Sequence, residues 1–109
     1  MTKPSDLRFE PRQPSNLRGV VIAPGLEIAC QIVDQSSAGL TLRLDRGLAL
    51  PRDVMIIDVA LGVATEVQVA WQKGQDIGLK RGGQGLSLRG LVPSRLTGAR
   101  EAWRRAGGR

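Results

Sequence analysis

The residues with the clearest potential for chemistry are two arginines near the start of the chain. Arg8 and Arg12 stand four apart in the segment LRFEPRQP, residues 7–14. Pro11 and Pro14 disfavour a helix here, because proline lacks a backbone donor and holds the residue before it extended. A guanidinium group grips a phosphate or the edge of a base through two parallel hydrogen bonds. We therefore interpret this segment as a basic arm for which an anionic partner is plausible.

A second candidate segment is VDQSSAGLTLRL, residues 33–44, in which two alternating apolar stretches meet at small and polar residues. Asp34 and Ser36 can bond nearby backbone amides, and Gly39 can adopt a positive φ. A plain hairpin turn is therefore a sufficient explanation of this segment when it is considered alone.

The elements that must position these residues are short strands. Apolar alternation broken by turn signals predicts about six of them, at residues 16–23, 26–34, 39–45, 54–60, 63–71 and 76–80. The fourth is a nearly continuous apolar run, which suggests a strand covered on both faces. Regular spacing of this kind favours an all-β fold, an antiparallel barrel or compact sandwich, since closure removes exposed strand edges.

The helix predicted near the C-terminus is PSRLTGAREAWRRAG, residues 93–107. Its apolar stripe is expected to cover one end or one side of the barrel, and it consists of Leu96, Ala99, Trp103 and Ala106. The predicted organisation is an N-terminal arm at 1–14, a barrel at 15–81, a glycine-rich connector at 82–92, and a C-terminal helix and tail at 93–109.

The composition of the chain excludes some kinds of site and argues against some classes of function. The chain has 109 residues, a net charge of +6, thirteen Arg against three Lys, one cysteine and no histidine. An intramolecular disulfide and a Cys–His metal cluster are therefore excluded, and Cys30 is expected to be a buried small hydrophobe. Without histidine, a Ser or Cys nucleophile lacks its usual base, and the carboxylates are scattered, so we do not expect an enzyme. With neither a long apolar run nor a signal peptide, we expect a cytoplasmic protein without membrane insertion.

The two motifs in order resemble the signature of the PilZ domain family. Arg-x-x-x-Arg, from Arg8 to Arg12, precedes Asp-x-Ser-x-x-Gly, from Asp34 to Gly39. The strand GLTLRL and the hairpin from VQVAW to DIGLK are similar to later parts of the family pattern, so the resemblance covers roughly residues 7 to 81. It implies a six-stranded antiparallel β-barrel of the split-barrel type that binds the bacterial second messenger cyclic di-GMP, with no further cofactor.

The resemblance also implies roles for individual residues. Arg8 and Arg12, about 13 Å apart on an extended chain, would wrap a ligand that has two phosphates and two guanines. Asp34 would accept hydrogen bonds from guanine N1 and N2, Ser36 would contact a phosphate or position the loop, and Gly39 would let the backbone approach the ligand. The downstream partner protein stays unidentified, with motility, polysaccharide export and virulence among the family's outputs.

Three further residues are weaker candidates, and two other functions remain open. Trp71 could line the pocket, although its place in the alternation fits core packing better, and Arg18 and Arg43 fit solvated surface charges better than ligand contacts. A degenerate adaptor that binds no nucleotide is one alternative. A nucleic-acid-binding barrel is less expected, because one Phe, two Trp and no Tyr offer few stacking platforms.

Overall fold

The computed structural model describes residues 13–109, in which strands dominate. The elements are β1 (Gln13–Ala23), β2 (Leu26–Gln35), β3 (Gly39–Leu44), β4 (Asp53–Asp58), β5 (Val63–Lys73), β6 (Asp76–Arg81), β7 (Leu86–Ser87), a 3₁₀ turn (Ser94–Leu96) and α1 (Thr97–Arg105).

Six of the strands close into an antiparallel barrel. Their order is β4-β1-β2-β3-β6-β5, and pairing between β4 and β5 completes the circle. The short β7 pairs with Val63 and Ala64 of β5, before the pairing of β5 with β6 begins at Val67. This architecture confirms the predicted fold class, a six-stranded antiparallel barrel followed by a helix. Between residues 13 and 109, no helix combines the length and apolar character needed to cross a membrane.

The barrel interior is filled by alternate residues of the strands. In β2, Ile28, Cys30 and Ile32 are buried and their neighbours Glu27, Ala29 and Gln31 are exposed, as the period of two requires. The same pattern in the other strands supplies Val21, Leu40, Leu42, Leu44, Val54, Ile56, Val67, Ile77 and Leu79.

A second apolar cluster lies outside the barrel, beneath the helix. Leu96, Ala99 and Trp103 are buried against Val20 of β1 and Ile57 of β4. Strand β4 thus has Ile56 in the interior and Ile57 under the helix, which confirms the prediction of a strand covered on both faces. The helix covers one side of the barrel, one of the two placements predicted.

An exposed ion pair connects the C-terminal end of α1 with β2. Arg105 donates from Nε and NH2 to the two carboxylate oxygens of Glu27 at 3.2 and 2.6 Å. These hydrogen bonds lower the pKa of the Glu27 carboxyl. Because a depressed carboxyl pKa adds stability only above its unfolded value, this contribution is lost as the pH falls below that value.

Several element boundaries differ from the predicted ones, most of them by one or two residues. Strand β1 begins at Gln13, so the last two residues assigned to the arm are strand. Pro14 is tolerated because β4 pairs with β1 at residues 19–22, and no strand among residues 13–109 pairs with that side of β1 near Pro14. The connector 82–92 contains β7 and the buried Leu88, and α1 begins at Thr97 after the 3₁₀ turn.

The single cysteine is a core residue, as predicted. Cys30 is 4% exposed. Burial, and secondarily the charge of Asp45, raises the pKa of its thiol to about 12. The thiol therefore stays protonated at neutral pH and packs as a small apolar group.

Replacing Gly98 with alanine is expected to stabilise the protein by up to about 1 kcal/mol, because glycine is a poor helix former. Gly98 lies in α1, its φ is not positive, and a Cβ built on it meets nothing within 4 Å. The measurement is the midpoint of thermal unfolding, which should rise by a few degrees.

The matched control is Gly90→Ala. A Cβ on Gly90 is equally unobstructed, but its φ is +72°, which an alanine adopts only with strain. We expect this variant to lose stability. Equal shifts in the two variants would contradict the argument, since the variants differ chiefly in backbone conformation.

Candidate functional site

The predicted site residues of the second motif lie together at one rim of the barrel. Asp34 is near the end of β2, Ser36 begins the turn, and Gly39 begins β3. Arg8 and Arg12 lie outside the described residues, so the predicted approach of the arm to this rim stays a prediction. The described chain begins at Gln13, which pairs with Gln35 at the same rim.

The turn between β2 and β3 is closed by its own hydrogen bonds. The Ser36 amide donates to the Gly39 carbonyl at 2.9 Å, and the Ala38 amide donates to Ser36 Oγ at 3.3 Å. Ser36 therefore shapes the loop as predicted for a residue of its type.

Arg81, the last residue of β6, holds this turn. Sequence analysis missed this contact. Its Nε donates to the Ser36 carbonyl at 2.9 Å and its NH2 donates to Gln35 Oε1 at 3.3 Å. The backbone amide of Arg81 donates to the Ala38 carbonyl at 3.0 Å. Nothing in the local pattern signals these contacts, because 43 to 46 residues separate the partners and most of the acceptors are backbone oxygens.

Gly39 has a different structural role from the one expected. Its φ is not positive, so the expected left-handed conformation is wrong. A Cβ on Gly39 would instead collide with the carbonyl oxygen of Leu79 in β6. The glycine is needed for the close approach of two paired strands, which explains the residue without a ligand.

Asp34 reaches the outer wall of the barrel because β2 contains a bulge. The register of β2 against β3 shifts between Ile32 and Asp34, so that Asp34 pairs with Thr41. Strict alternation from the buried Ile32 would have directed Asp34 inward. Since cross-strand partners point to the same face, Asp34 instead shares the outer face with Thr41, which lies between the inward Leu40 and Leu42.

A second bulge brings Trp71 to the same row. The register of β5 against β6 shifts between Val69 and Trp71, and Trp71 pairs with Gly78. The indole lies directly over Gly78, where a Cβ would overlap it, and Trp71 is 48% exposed. The expectation that Trp71 packs in the core is therefore wrong, because the bulge reverses the alternation that suggested it.

The two bulges create one continuous row of residues across the outer wall. Thr41 pairs with Asp34 on one side and with Gly78 on the other. The partly buried carboxylate of Asp34 and the exposed indole over Gly78 are thus about two strand spacings apart, roughly 10 Å. The row presents a hydrogen-bond acceptor, a hydroxyl and an aromatic surface, which are the groups that recognise and stack a planar polar ring.

The surrounding charges are surface residues, as expected. Arg18 is exposed, and Nε of Arg43 donates to Asp76 Oδ1 at 3.0 Å with both side chains exposed. Exposed pairs of this kind contribute little energy. In the part of the chain that the structure describes, no group of acidic, His or Cys side chains could hold a metal ion.

A separate cavity of about 560 Å³ lies between α1 and the barrel wall. It is lined by Met55, Asp53, Glu66, Arg95 and Gly98 among others, and Arg95 and Glu66 approach to 3.6 Å there. None of the predicted site residues that the structure describes lines it. The rim of the barrel, where the predicted residues meet, is therefore the better candidate site.

The fold defines an all-β protein with a closed six-stranded barrel and a helix packed on its side. In comparisons with known proteins, no family model, no curated protein and no solved structure matches the chain.

Replacing Arg81 with methionine is expected to loosen the turn at the rim. The change removes two side-chain hydrogen bonds and keeps the apolar stem, so we expect a loss of about 1–2 kcal/mol of global stability. Exchange of the Ser36 amide hydrogen, which bonds to Gly39, should become faster. Arg43→Met is the control, because Arg43 bonds to an exposed side chain instead of the turn. Unchanged exchange at Ser36 would show that Arg81 does not hold the turn.

Proposed function

We propose that this protein binds cyclic di-GMP on the outer wall of the barrel and signals through a partner protein. The observation that carries the proposal is the outer row from Asp34 to Trp71, which two separate bulges expose. Bulges that redirect side chains are over-represented next to functional sites. The resemblance of the two motifs to the PilZ domain family supplies the identity of the ligand.

The chemistry of the row suits a guanine. The Asp34 carboxylate accepts hydrogen bonds, and guanine offers the adjacent N1–H and N2–H donors on one edge. Stacking of a base on an aromatic ring such as Trp71 stabilises binding by about 1–3 kcal/mol. A ligand with two bases can therefore use both ends of the row at once.

The basic arm would supply the contacts to phosphate. The described chain begins at Gln13, which pairs with Gln35, so the segment that carries Arg12 joins the barrel at the rim. We propose that Arg8 and Arg12 close over the ligand from this point. Closure of an arm changes the surface available to a second protein, which is one way for a small binding domain to signal.

The experiment is isothermal titration calorimetry of the full chain with cyclic di-GMP, and with cyclic di-AMP as the matched control. Both ligands carry two phosphates, but adenine lacks the N1–H and N2 amino donors from which Asp34 would accept hydrogen bonds. We expect saturable binding of cyclic di-GMP and at least tenfold weaker binding of cyclic di-AMP. Absence of heat with cyclic di-GMP would favour the adaptor alternative, and equal affinity for the two would contradict recognition by Asp34.

A second readout uses tryptophan fluorescence. Trp103 is buried and Trp71 is exposed, so a ligand on the outer row should change chiefly the emission of Trp71. The change on adding cyclic di-GMP should be lost in Trp71→Phe and kept in Trp103→Phe. The opposite result would place the ligand near the helix instead of on the row.

A further inference from the structure

A polar cleft at the rim of the barrel lies beside the outer row, and of the described residues in the predicted site it contains Ser36. Its volume is about 570 Å³, and its described lining residues are Gln35, Ser36, Ser37, Arg81, Gly83, Gln84 and Gly85. One wall is the turn after β2, and the other is the glycine-rich segment that follows β6. Among these lining residues there is one cation and no carboxylate, so the local charge favours an anion.

Arg81 has donors available in this cleft. A guanidinium group carries five N–H donors, and the contacts within residues 13–109 engage two of them, with the Ser36 carbonyl and Gln35 Oε1. These two contacts fix the position of the group, which reduces the entropy lost on binding an oxyanion. Ser36 Oγ accepts from the Ala38 amide, and a hydroxyl that accepts can still donate its own proton to an anion.

Packing explains why residues 82 and 85 of this segment are glycines, but it does not explain Gly83. A Cβ on Gly82 would press on the carbonyl oxygen of Glu66, and one on Gly85 would press on the side chain of Val63. A Cβ on Gly83 meets nothing within 4 Å, and the φ of Gly83 is not positive. Position 83 therefore has room for a side chain, which makes it a suitable place to introduce a charge into the cleft.

We propose that this cleft binds a phosphate group, with the Arg81 guanidinium as its cation and the Ser36 hydroxyl as a second donor. The phosphate belongs either to the cyclic dinucleotide on the neighbouring row or to a separate phosphate compound. The proposal does not require Asp34 or the arm, so it can succeed where the proposed function fails.

The test introduces a negative charge into the cleft without touching Arg81. Gly83→Asp has room for its side chain, Gly83→Asn is the neutral variant of the same shape, and Gly47→Asp makes the same change elsewhere. Gly47 is a suitable control because a Cβ there also meets nothing within 4 Å, its φ is not positive, and it follows β3 at the end opposite Gly39.

The measurement is a two-dimensional amide NMR titration of the full chain at constant ionic strength with three probes: inorganic phosphate, guanosine 5′-monophosphate and cyclic di-GMP. We expect phosphate to shift the amides of Ser36 and Gly83. Gly83→Asp should weaken its binding by about tenfold, since a unit charge a few ångströms from the anion repels it. Gly83→Asn and Gly47→Asp should stay within about twofold of the native chain.

The probes distinguish the source of the phosphate. If Gly83→Asp weakens cyclic di-GMP by a similar factor, the occupant is a phosphate of that ligand; if only the two monophosphate probes are weakened, the occupant is a separate compound. Either result supports the site. The proposal is overturned if phosphate does not shift the amides of Ser36 and Gly83, or if Gly47→Asp weakens binding as much as Gly83→Asp. Asp34→Ala, which removes a negative charge beside the cleft and therefore should not weaken the binding of inorganic phosphate, separates this site from the proposed function.

Discussion

Replacing Asp34 with alanine is expected to weaken cyclic di-GMP binding by about a hundredfold. The carboxylate would accept two hydrogen bonds from one guanine, and each hydrogen bond to a charged group contributes about 1.5–3 kcal/mol. A hundredfold change corresponds to about 2.7 kcal/mol, slightly less than the smallest sum of two such bonds, about 3 kcal/mol. Calorimetric titration of the variant measures this loss directly.

The matched control is Asp45→Ala, which removes an exposed carboxylate just after β3, at the end opposite Gly39. It changes the net charge by the same amount, so a general electrostatic effect on an anionic ligand would appear equally in both variants. Circular dichroism should show that both variants are folded. Native affinity in Asp34→Ala would falsify the assignment of this carboxylate to the ligand, as would an equal loss in Asp45→Ala.

Replacing Trp103 with alanine is expected to be the most destabilising single substitution considered. Trp103 lies on the buried face of α1 and is 1% exposed, and its Nε1 donates to the Val59 carbonyl at 2.8 Å. The guanidinium of Arg89 lies 5.3 Å from the ring centroid. Truncating a buried tryptophan leaves a large cavity and costs about 3–5 kcal/mol, a large part of the 5–15 kcal/mol that stabilises a typical domain. Urea unfolding followed by circular dichroism gives the value.

Trp71→Ala makes the same chemical change on the other side of the barrel. Because Trp71 is 48% exposed and packs chiefly on Gly78, we expect it to cost less than half as much stability. Trp103→Phe should lie between the two, since it keeps apolar volume and loses the hydrogen bond to Val59. Comparable costs for Trp71→Ala and Trp103→Ala would contradict the view that α1 is anchored mainly through Trp103.

Prediction from sequence succeeded for elements in which the repeat of apolar residues along the chain coincides with the face that is buried. The alternation of Leu40, Leu42 and Leu44 placed all three in the interior, because a strand with one buried face has little choice of register. The helical stripe was also correct: Leu96, Ala99 and Trp103 are buried and Ala106 packs against the same cluster. Both patterns depend on neighbours a few residues apart, which a single sequence contains.

Prediction failed where a distant strand decided the outcome. Trp71 follows four alternating residues, yet the extra residue paired against β6 turns it outward. Gly39 looked like a turn glycine, but its constraint is the carbonyl of Leu79, 40 residues later. Arg81 had no local signal, because its acceptors lie on the turn that follows β2. The roles of Arg8 and Arg12 lie outside the described residues and stay a prediction.

The sequence by itself determined the six strands, their turns, the apolar stripe of the helix and the two short motifs, because period and turn chemistry are local properties. The tertiary structure alone decided which residues share the outer wall. Closing six strands into a barrel introduces bulges in β2 and β5, and each bulge reverses the facing of the residues beyond it. Asp34 and Trp71 lie on one row because both strands are bulged. Each bulge depends on the pairing with a neighbouring strand, which the local sequence pattern does not contain.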